Sequence, residues 1–343
     1  MAVIAMADDG LRFDGRALER GPLGGAETAF VSLAEALARR GHRVLVRNNC
    51  EERLTLAGVE WAPLSAGMPE TADLYIANRG DRLLPLVPAA RRRLFWIHNP
   101  ARYLMKWRYL TKLWRYRPVI VFSGNYHART YPRWAPSGAR VIVPYGISDA
   151  FRHVPGDGSV EPPPPRAVFT SNPLRSLDWL LDLWARRIQP AMPEAELHVF
   201  SGPQTYGGVK AAEMAEVLGR ARALAGQGVV LRVPVSKDVL AEELRAARVL
   251  LYRGDVNETF CLAVGEAQAA GLPCVVRDIG CVPERVIDGE TGIVARSDDA
   301  FVAAALRVLS DHRLWYAQHQ AAFKRQRGWG WDDAAQAFES LLP

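Results

Sequence analysis

The sequence predicts an α/β fold made of two similar halves, each built on a parallel sheet. The chain has 343 residues, of which 49% are hydrophobic, and it is long enough for two hydrophobic cores. In both halves, short apolar segments typical of buried strands alternate with segments of helical periodicity. Residues 155–165 hold five prolines and two glycines, a composition typical of a linker. We therefore expect an N-terminal domain over 1–152, a linker over 153–165 and a C-terminal domain over 166–330.

Twelve segments are predicted to be strands, six in each half. They are residues 3–7, 44–46, 74–77, 94–97, 119–122, 141–143, 167–170, 197–201, 229–233, 249–252, 274–276 and 292–295. Strands that alternate with helices form parallel sheets covered on both faces, and ligands bind at the carboxyl ends of such strands. His98 stands at such an end, directly after the fourth segment. A histidine there either makes a structural hydrogen bond or reaches a ligand, and the residues alone leave both open.

Glycines at a junction between strand and helix form the first candidate site. Gly24, Gly25, Ala26 and Glu27 open a predicted helix that ends at Gly41. Because they lack side chains, Gly24 and Gly25 let the backbone approach a ligand closely, above all a diphosphate. The same pair can also serve only as a tight turn.

The second candidate site surrounds two glutamates, Glu258 and Glu266. They follow the predicted strand 249–252, and a helix is predicted over 259–270 because Gly271 ends its apolar pattern. On one helix, a spacing of eight places both carboxylates on roughly the same side. There they can accept hydrogen bonds from sugar hydroxyls, while the N–H groups of the helix start favour an anion. Glu266 lies among apolar residues, where an unpaired carboxylate is costly, and this argues against an idle, solvated side chain.

A fixed order of short motifs extends through residues 249–294. Glu258 and Glu266 are separated by seven residues, and three motifs follow them: Ala-Gly-Leu-Pro-Cys-Val (270–275), Gly-x-x-Pro-Glu (280–284) and Asp-Gly-x-Thr-Gly (288–292). This order resembles the nucleotide-sugar half of the retaining glycosyltransferases of family 4. The resemblance implies a GT-B fold, in which two Rossmann-like domains face each other across a cleft. It also implies transfer of a sugar from a nucleoside diphosphate donor to an acceptor, with the anomeric configuration kept.

The resemblance assigns roles to individual residues. Glu258 would hold hydroxyls of the donor sugar, Glu266 those of the ribose, and His98 would reach the donor sugar from the N-terminal domain. The last helix, predicted over 332–342, would cross back onto the first domain. The expected catalytic residues are His98, Arg175 and Glu258, and the expected donor-binding residues are Gly24, Gly25, Thr170, Val235, Thr259, Phe260, Cys261, Leu262 and Glu266.

The resemblance also indicates where the diphosphate and the base would bind. Arg175 would neutralise the β-phosphate, together with the Gly24–Gly25 loop and the backbone N–H groups of residues 260–262. Thr170 stands where the family has a second cation, so the chain departs there from the family's pair of cations. Val235 lies where the family holds the base, mainly through backbone groups.

The net charge of +6 is unevenly distributed along the chain. Residues 82–148 contain thirteen arginines and lysines and neither aspartate nor glutamate. Within them, residues 102–117 are predicted to form one helix with two apolar stripes. One stripe holds Tyr103, Trp107, Leu110 and Trp114, and the other holds Met105, Tyr109, Leu113 and Tyr116.

One of these stripes is enough to pack the helix on a sheet, so the other needs a partner. Aromatic rings beside cations suit the headgroup layer of an anionic membrane. The residues expected on the membrane or acceptor side are Arg102, Lys106, Trp107, Arg108, Lys112, Trp114 and Arg115. The second stripe could instead meet the other domain. A nucleic-acid surface is a third interpretation, which we do not favour because no recognised nucleic-acid module accompanies the charge.

We find no motif for a metal or a cofactor. The sequence has no Asp-x-Asp and no Cys-x-x-Cys pair among its four cysteines, so we expect activity without a metal. The cysteines favour a reducing compartment, and residues 1–7 are predicted to be a first strand rather than a signal peptide. No apolar run reaches the ~20 residues of a membrane-spanning helix. We expect a cytoplasmic protein, peripheral at the inner face of the cytoplasmic membrane.

The substrates are only partly defined by the sequence. We expect a UDP- or GDP-sugar donor, an envelope glycan or lipid-linked acceptor as in lipopolysaccharide synthesis, and no nucleic acid partner. The sequence does not identify the donor sugar, the nucleotide base or the linkage formed. The base in particular is expected to be bound mainly by backbone groups, which leave no side-chain pattern. A GT-B protein that only binds a nucleotide sugar and a nucleotide-sugar epimerase are the alternatives. A dehydrogenase is disfavoured because neither half carries the dinucleotide fingerprint.

Overall fold

The computed structural model describes residues 1–21, 23–153, 160–202 and 210–343. They form two compact units: unit 1 comprises residues 1–146 and 331–343, and unit 2 comprises residues 147–330. The chain passes from one unit to the other directly after Gly146, whereas the sequence placed the end of the first domain at residue 152. Residues 154–159 of the expected linker lie outside the described residues.

Unit 1 is built on an eight-stranded sheet. Its strands are β1 (Val3–Asp8), β2 (Arg43–Asn48), β3 (Leu54–Leu56), β4 (Val59–Pro63), β5 (Thr71–Asn78), β6 (Ala89–Trp96), β7 (Val119–Phe122) and β8 (Ala139–Ile142). Their order is β3-β4-β2-β1-β5-β6-β7-β8, and the pairs are parallel except β3 with β4. The central strand β1 is buried along nearly all its length, as expected for a strand covered on both faces.

The antiparallel hairpin formed by β3 and β4 is not among the elements predicted from the sequence. Its two-residue turn, Ala57-Gly58, has positive φ at both positions (48° and 78°), which is the backbone of a type I′ turn. Alanine rarely adopts this conformation, so the usual Asn-Gly or Asp-Gly signal is absent. β3 is also only three residues long and partly exposed.

Among the described residues before 147, the helices of unit 1 are α1 (Ala17–Arg20), α2 (Gly25–Arg39), α3 (Trp107–Tyr116) and α4 (Asn125–Arg129). The apolar face of α2, with Phe30, Leu33 and Leu37, is completely buried. The helix predicted over 102–117 is interrupted: residues 101–105 form a 3₁₀ turn, and Lys106 is extended before α3 begins. A single continuous helix was therefore a wrong prediction.

Unit 2 is built on a six-stranded parallel sheet. Its strands are β9 (Arg166–Phe169), β10 (Glu196–Phe200), β11 (Val229–Arg232), β12 (Val249–Tyr252), β13 (Cys274–Arg277) and β14 (Gly292–Ala295). Its helices are α5 (Asp149–Arg152), α6 (Leu177–Leu183), α7 (Gln189–Ala191), α8 (Ala211–Ala223), α9 (Lys237–Arg245), α10 (Leu262–Ala269), α11 (Asp298–Ser310) and α12 (His312–Arg325). The short helix α5 packs against α9 and α10, which explains why these residues belong to unit 2.

The strand order in unit 2 is β11-β10-β9-β12-β13-β14. From β9 the chain adds strands on one side of the sheet, β10 and then β11. From β12 it adds β13 and β14 on the other side, so the connections run in opposite directions on either side of the β9–β12 pair. In open parallel sheets, ligands bind outside the carboxyl ends of the strands at such a point. The loops that follow β9 and β12 are therefore where a site is expected on structural grounds.

After unit 2, the chain returns to unit 1 and forms α13 (Trp331–Glu339). Helix α13 packs on α2, where Arg39 Nη2 lies 2.9 Å from Asp332 Oδ1 and Arg40 Nη2 lies 2.5 Å from Glu339 Oε2. The ring of Phe338 meets Trp96 edge to face with the centroids 5.2 Å apart. Apolar and charged contacts thus both hold α13 to unit 1.

Candidate functional site

The loops after β9 and β12 bring Arg175 and Glu258 together in unit 2. Arg175 Nη1 lies 3.8 Å from Glu258 Oε1, close enough for attraction but too far for a hydrogen bond. Glu258 Oε2 accepts a hydrogen bond of 2.8 Å from the hydroxyl of Tyr252, the last residue of β12. The carboxylate of Glu258 is therefore held by a residue of β12 and lies beside the guanidinium of Arg175.

Burial raises the pKa of Glu258 above its usual value. The positive charge of Arg175 and hydrogen bonds from Tyr252 and Cys261 oppose this effect without cancelling it. A carboxyl group with a perturbed pKa, beside a cation and at the carboxyl ends of parallel strands, is typical of a functional site.

The segment that follows β9 carries two buried polar atoms that make no hydrogen bond within the described residues. These atoms are Arg175 Nη1 and Thr170 Oγ1. These two donors are therefore available to a ligand with acceptor atoms bound beyond the end of β9. Glu258 and other negative groups raise the pKa of Arg175 more than burial lowers it, so its side chain is a permanent cation.

The two glutamates are not on one helix, contrary to the sequence analysis. Helix α10 begins at Leu262 rather than at residue 259, because Cys261 has a left-handed backbone with φ of 65°. Glu258 therefore lies in the preceding loop, and its position is set by β12 and Tyr252 instead of by helical spacing. The start of α10 has no side-chain cap among the described residues. Its first N–H groups thus begin at Leu262, and those of Phe260 and Cys261 belong to the loop.

Glu266 is 5% exposed and lies inside α10, as its apolar neighbours indicated. Its Oε1 lies 2.5 Å from Nζ of Lys237, the first residue of α9. Val235, the expected base-binding residue, lies two positions before this lysine in the chain. The sequence analysis missed Lys237, because no motif or spacing relates residues 29 positions apart on different helices.

In unit 1, the glycine loop opens α2 as predicted. Gly24 is extended and precedes the helix, Gly25 is its first residue, and no side chain caps this start in the described residues. Glu27 bonds instead to Arg79 Nη2 at 2.8 Å, and Arg79 also pairs with the completely buried Asp8. Arg79 thus fixes the first turn of α2 to the end of β1.

His98 is buried, and both of its ring nitrogens have partners inside unit 1. Asn78 donates from Nδ2 to the Asp8 carboxylate at 2.5 Å, which leaves its Oδ1 to accept from His98 Nε2 at 2.6 Å. Nδ1 is then the acceptor for the Tyr145 hydroxyl. Burial, with smaller effects of Arg79 and His127, lowers the pKa of His98 well below its usual value.

This pairing limits what His98 can do. To reach a donor sugar, the neutral imidazole would have to release Asn78 or Tyr145. The catalytic role expected for His98 therefore stays a prediction, whereas a structural role of the ring is visible.

The basic and aromatic segment packs by the stripe that holds Tyr109 and Leu113, which are buried against unit 1. Trp107 and Trp114 are 77% and 74% exposed. Four of the expected cations, Arg102, Lys106, Arg108 and Arg115, are exposed around them, whereas Lys112 is half-buried.

Lys112 and Arg108 both lie close to the carboxylate of Asp81. Lys112 Nζ lies 2.6 Å from Asp81 and Arg108 Nε lies 3.6 Å from it. A third exposed tryptophan, Trp134, lies in the turn after α4. The sequence analysis did not single it out.

In residues 1–21, 23–153, 160–202 and 210–343, no three His, Cys, Asp or Glu side chains are grouped so that they could hold a metal ion. Over the same residues, none of the helices has the length and apolar character needed to span a bilayer.

The fold is similar to that of GT-B proteins of known structure. The chain is similar to sucrose-phosphate synthase from Thermosynechococcus elongatus, with a TM-score of 0.77 and 16% identity over 99% of this chain and 98% of that one. It is also similar to Anabaena Alr3699/HepE, solved in complex with UDP-glucose, with a TM-score of 0.73 and 13% identity over 100% and 99% of the two chains. The predicted fold is confirmed.

In sequence, the chain is similar to glycosyltransferases, mainly over unit 2. Residues 164–311 match the family model described as "Glycosyl transferases group 1". The chain is 32% identical over 224 residues to a D-inositol 3-phosphate glycosyltransferase of Streptomyces avermitilis, which covers 59% of this chain and 46% of the relative. The chain thus aligns with about half the length of the curated relatives it matches. This match supports the glycosyltransferase part of the resemblance drawn from the motifs of residues 249–294, whereas membership of family 4 and retention of the anomeric configuration stay predictions.

Proposed function

We propose that this protein is a retaining glycosyltransferase that moves a sugar from a nucleoside diphosphate donor to an acceptor, without a metal ion. The observation that carries the proposal is the Glu258 carboxylate, held by Tyr252 and facing an Arg175 that has an unpaired buried N–H group. This pair combines an acceptor for sugar hydroxyls with a donor for phosphate oxygens. The match of residues 164–311 to glycosyl transferases group 1 supports the same conclusion.

The donor is proposed to be a UDP- or GDP-sugar bound by unit 2. Arg175 and the backbone N–H groups of residues 260–262 would take the diphosphate, while Thr170 Oγ1 offers one more donor. Glu266 would accept from the ribose hydroxyls, and the backbone at Val235 would hold the base. The solved complex of HepE with UDP-glucose supports a UDP-sugar as the first donor to test.

Catalysis on this proposal is mainly electrostatic. As the bond between sugar and phosphate breaks, negative charge grows on the leaving diphosphate, and preorganised donors stabilise it. Arg175 provides a fixed positive charge at the place where other enzymes use a metal ion. The leaving phosphate would take the proton of the acceptor hydroxyl on the face it departs from, so that the new bond forms with the anomeric configuration kept.

The acceptor is proposed to be an envelope glycan or a lipid-linked molecule, reached at the inner face of the cytoplasmic membrane. The exposed Trp107 and Trp114, among exposed arginines and a lysine, support contact with an anionic bilayer. A phosphorylated polyol is the second candidate acceptor, because the relatives found by sequence are named for D-inositol 3-phosphate.

The proposal is tested by following sugar transfer with wild type and Glu258→Gln. We expect the variant to lose turnover at least about a hundredfold, because an amide accepts sugar hydroxyls without the negative charge. Glu213→Gln, an exposed change in the same unit, is the matched control and should leave the rate unchanged. An unchanged rate in Glu258→Gln would overturn the assignment. Conversion of the donor without any acceptor would instead identify an epimerase.

A further inference from the structure

The exposed tryptophans of the chain all belong to unit 1, and one of them lies outside α3. Trp107, Trp114 and Trp134 are exposed, whereas all other tryptophans are buried or half-buried. Trp134 is 75% exposed and belongs to residues 130–138, the tryptophan turn, which connects α4 to β8. An indole is a large apolar ring with one polar N–H group, so three of them left in water on one unit indicate an interface.

The tryptophan turn is held rigidly by an arginine of β8. Arg140 Nη2 donates to the carbonyl oxygens of Pro132 at 2.8 Å and of Ala135 at 2.6 Å. The same guanidinium lies 4.6 Å from the ring centroid of Tyr131. The backbone on both sides of Trp134 is therefore fixed, while its indole remains exposed. An aromatic side chain on a rigid turn loses little conformational entropy when a partner covers it.

The tryptophan turn is bonded to both ends of the segment that carries the other two exposed tryptophans. The backbone N–H of Ala101, before α3, donates to Thr130 Oγ1 at 2.7 Å. The backbone N–H of Gly138 donates to the carbonyl of Pro118, just after α3, at 2.8 Å. Between these bonds, Ala135 lies in the same hydrophobic cluster as the buried side of α3. The tryptophan turn and α3 are therefore neighbours on one core.

The charge around the tryptophan turn favours an anionic partner. Arg133, the neighbour of Trp134, is exposed and forms no ion pair in the part of the chain that the structure describes. Residues 82–148, which include α3 and the turn, contain neither aspartate nor glutamate. Tryptophan rings prefer the headgroup layer of a bilayer, and cations beside them attract anionic lipids. An anionic bilayer therefore suits both the rings and the cations.

We propose that the tryptophan turn is a second contact with an anionic bilayer, and that this contact and α3 together fix the orientation of unit 1 on the membrane. Trp107 and Trp114 are about two helical turns apart on α3, so they define a line. Contact along a line leaves unit 1 free to roll about it, and a third contact at Trp134 removes this freedom. Stable attachment of a peripheral protein usually needs two signals, so either contact alone holds it weakly. This inference rests on the membrane contact proposed for α3 and extends it to a second element.

The experiment attaches an environment-sensitive fluorophore at position 134 through Trp134→Cys. The four native cysteines are buried, so the label goes to the introduced thiol. With phosphatidylglycerol vesicles, the emission should shift to shorter wavelength as the label enters the headgroup layer. A label introduced through Trp114→Cys should shift at the same lipid concentration. Tyr316→Cys, on the exposed side of α12 in unit 2, is the control and should keep its emission.

Sedimentation with the same vesicles measures how much the ring contributes. Trp134→Ser should lower the partition coefficient about tenfold, and Trp134→Phe should restore most of the binding, because burial of an aromatic ring provides it. Tyr316→Ser is the control and should bind as wild type. The affinity of Trp134→Ser for UDP or GDP should equal that of wild type, because the proposed donor site lies in unit 2.

The outcomes separate this inference from the function on which it rests. If wild type binds the vesicles, but the label at position 134 does not shift and Trp134→Ser binds as wild type, the second contact is overturned and that of α3 remains. A shift at position 134 without one at position 114 would overturn the fixed orientation. If wild type does not bind the vesicles, both membrane contacts are overturned, and sugar transfer is still tested by Glu258→Gln.

Discussion

The hydroxyl of Tyr252 donates to Glu258 Oε2 across 2.8 Å, from the last position of β12 to the loop that follows it. Tyr252 is itself almost completely buried, and its oxygen is 3.3 Å from Ser171 Oγ in the loop after β9. One phenol thus connects the ends of both central strands. The carboxylate position therefore depends on a residue of the sheet rather than on a helix.

Replacing Tyr252 by Phe should lower turnover about tenfold, because a hydrogen bond to a charged group is worth about 1.5–3 kcal/mol. Removing the hydroxyl leaves the ring packing intact and frees the carboxylate to move. The check is steady-state kinetics of sugar transfer. Tyr316→Phe, a change on the exposed face of α12, is the control. Equal rates for Tyr252→Phe and wild type would show that Glu258 needs no such support.

Arg175→Met should abolish binding of the diphosphate, whereas Arg175→Lys should weaken it about tenfold, because lysine keeps the charge but lacks the two-pronged geometry. Binding of UDP and GDP by calorimetry measures both effects. Arg186→Met, a change of an exposed arginine in the same unit, should have no effect. Unaltered affinity in Arg175→Met would exclude the phosphate role.

Glu258 should make the free protein less stable as the pH rises. Its pKa in the folded protein is raised above the ordinary value of 4.5, so the unfolded chain releases this proton at a lower pH than the folded protein. Stability therefore falls between pH 4.5 and the raised pKa, by about 1.4 kcal/mol for each pH unit between the two values. Urea unfolding at several pH values should show this loss in wild type and not in Glu258→Gln. Parallel curves for the two proteins would contradict the raised pKa.

His98 should remain neutral at acidic pH, with its proton on Nε2. Its pKa is lowered well below 6.5, because burial disfavours the charged ring. Stability carried by this neutral ring is present above pH 6.5 and declines below it, as the unfolded chain takes up a proton first. Nitrogen-15 shifts of the imidazole between pH 7 and pH 5 report both the tautomer and the charge. A titration near pH 6.5 would show that the buried network does not hold the ring.

The tryptophans of α3 should anchor the protein to anionic vesicles. Replacing Trp107 and Trp114 together by Ser should release it, since burial of aromatic surface and attraction of basic residues both act there. Sedimentation with vesicles of phosphatidylglycerol measures the bound fraction. Tyr316→Ser, an exposed aromatic change on unit 2, should stay bound. If the double variant still binds the vesicles, a surface other than α3 contacts the membrane.

The sequence predicted the strands better than the site geometry. Strands β7, β12 and β14 begin and end where the apolar runs predicted, because short buried runs bounded by turn residues are a strong local signal. The start of α10 was misplaced because Cys261 adopts a left-handed backbone that nothing in its residue type indicates.

Contacts between residues far apart in the chain could not be predicted from the sequence, for a different reason. The bond of Lys237 to Glu266 joins two helices that meet only because the sheet sets their positions. Similarly, the partners of His98 come from β5 and from Tyr145, and no local pattern relates them. The choice between the two stripes of the basic segment also depended on tertiary packing. Both stripes contain aromatic residues, and only the structure shows that the stripe with Tyr109 and Leu113 is the buried one.

We propose above that Arg175 and Glu258 form a donor site that works without a metal ion. It is tested most directly by the melting temperature of the protein with UDP, GDP and their sugars, each with and without EDTA, because a ligand that binds only the folded state raises this temperature. We predict that one diphosphate stabilises the protein equally with and without EDTA, and that Arg175→Met removes the effect. Stabilisation that EDTA abolishes, or no stabilisation with any of these ligands, would rule out a metal-free donor site at Arg175 and Glu258.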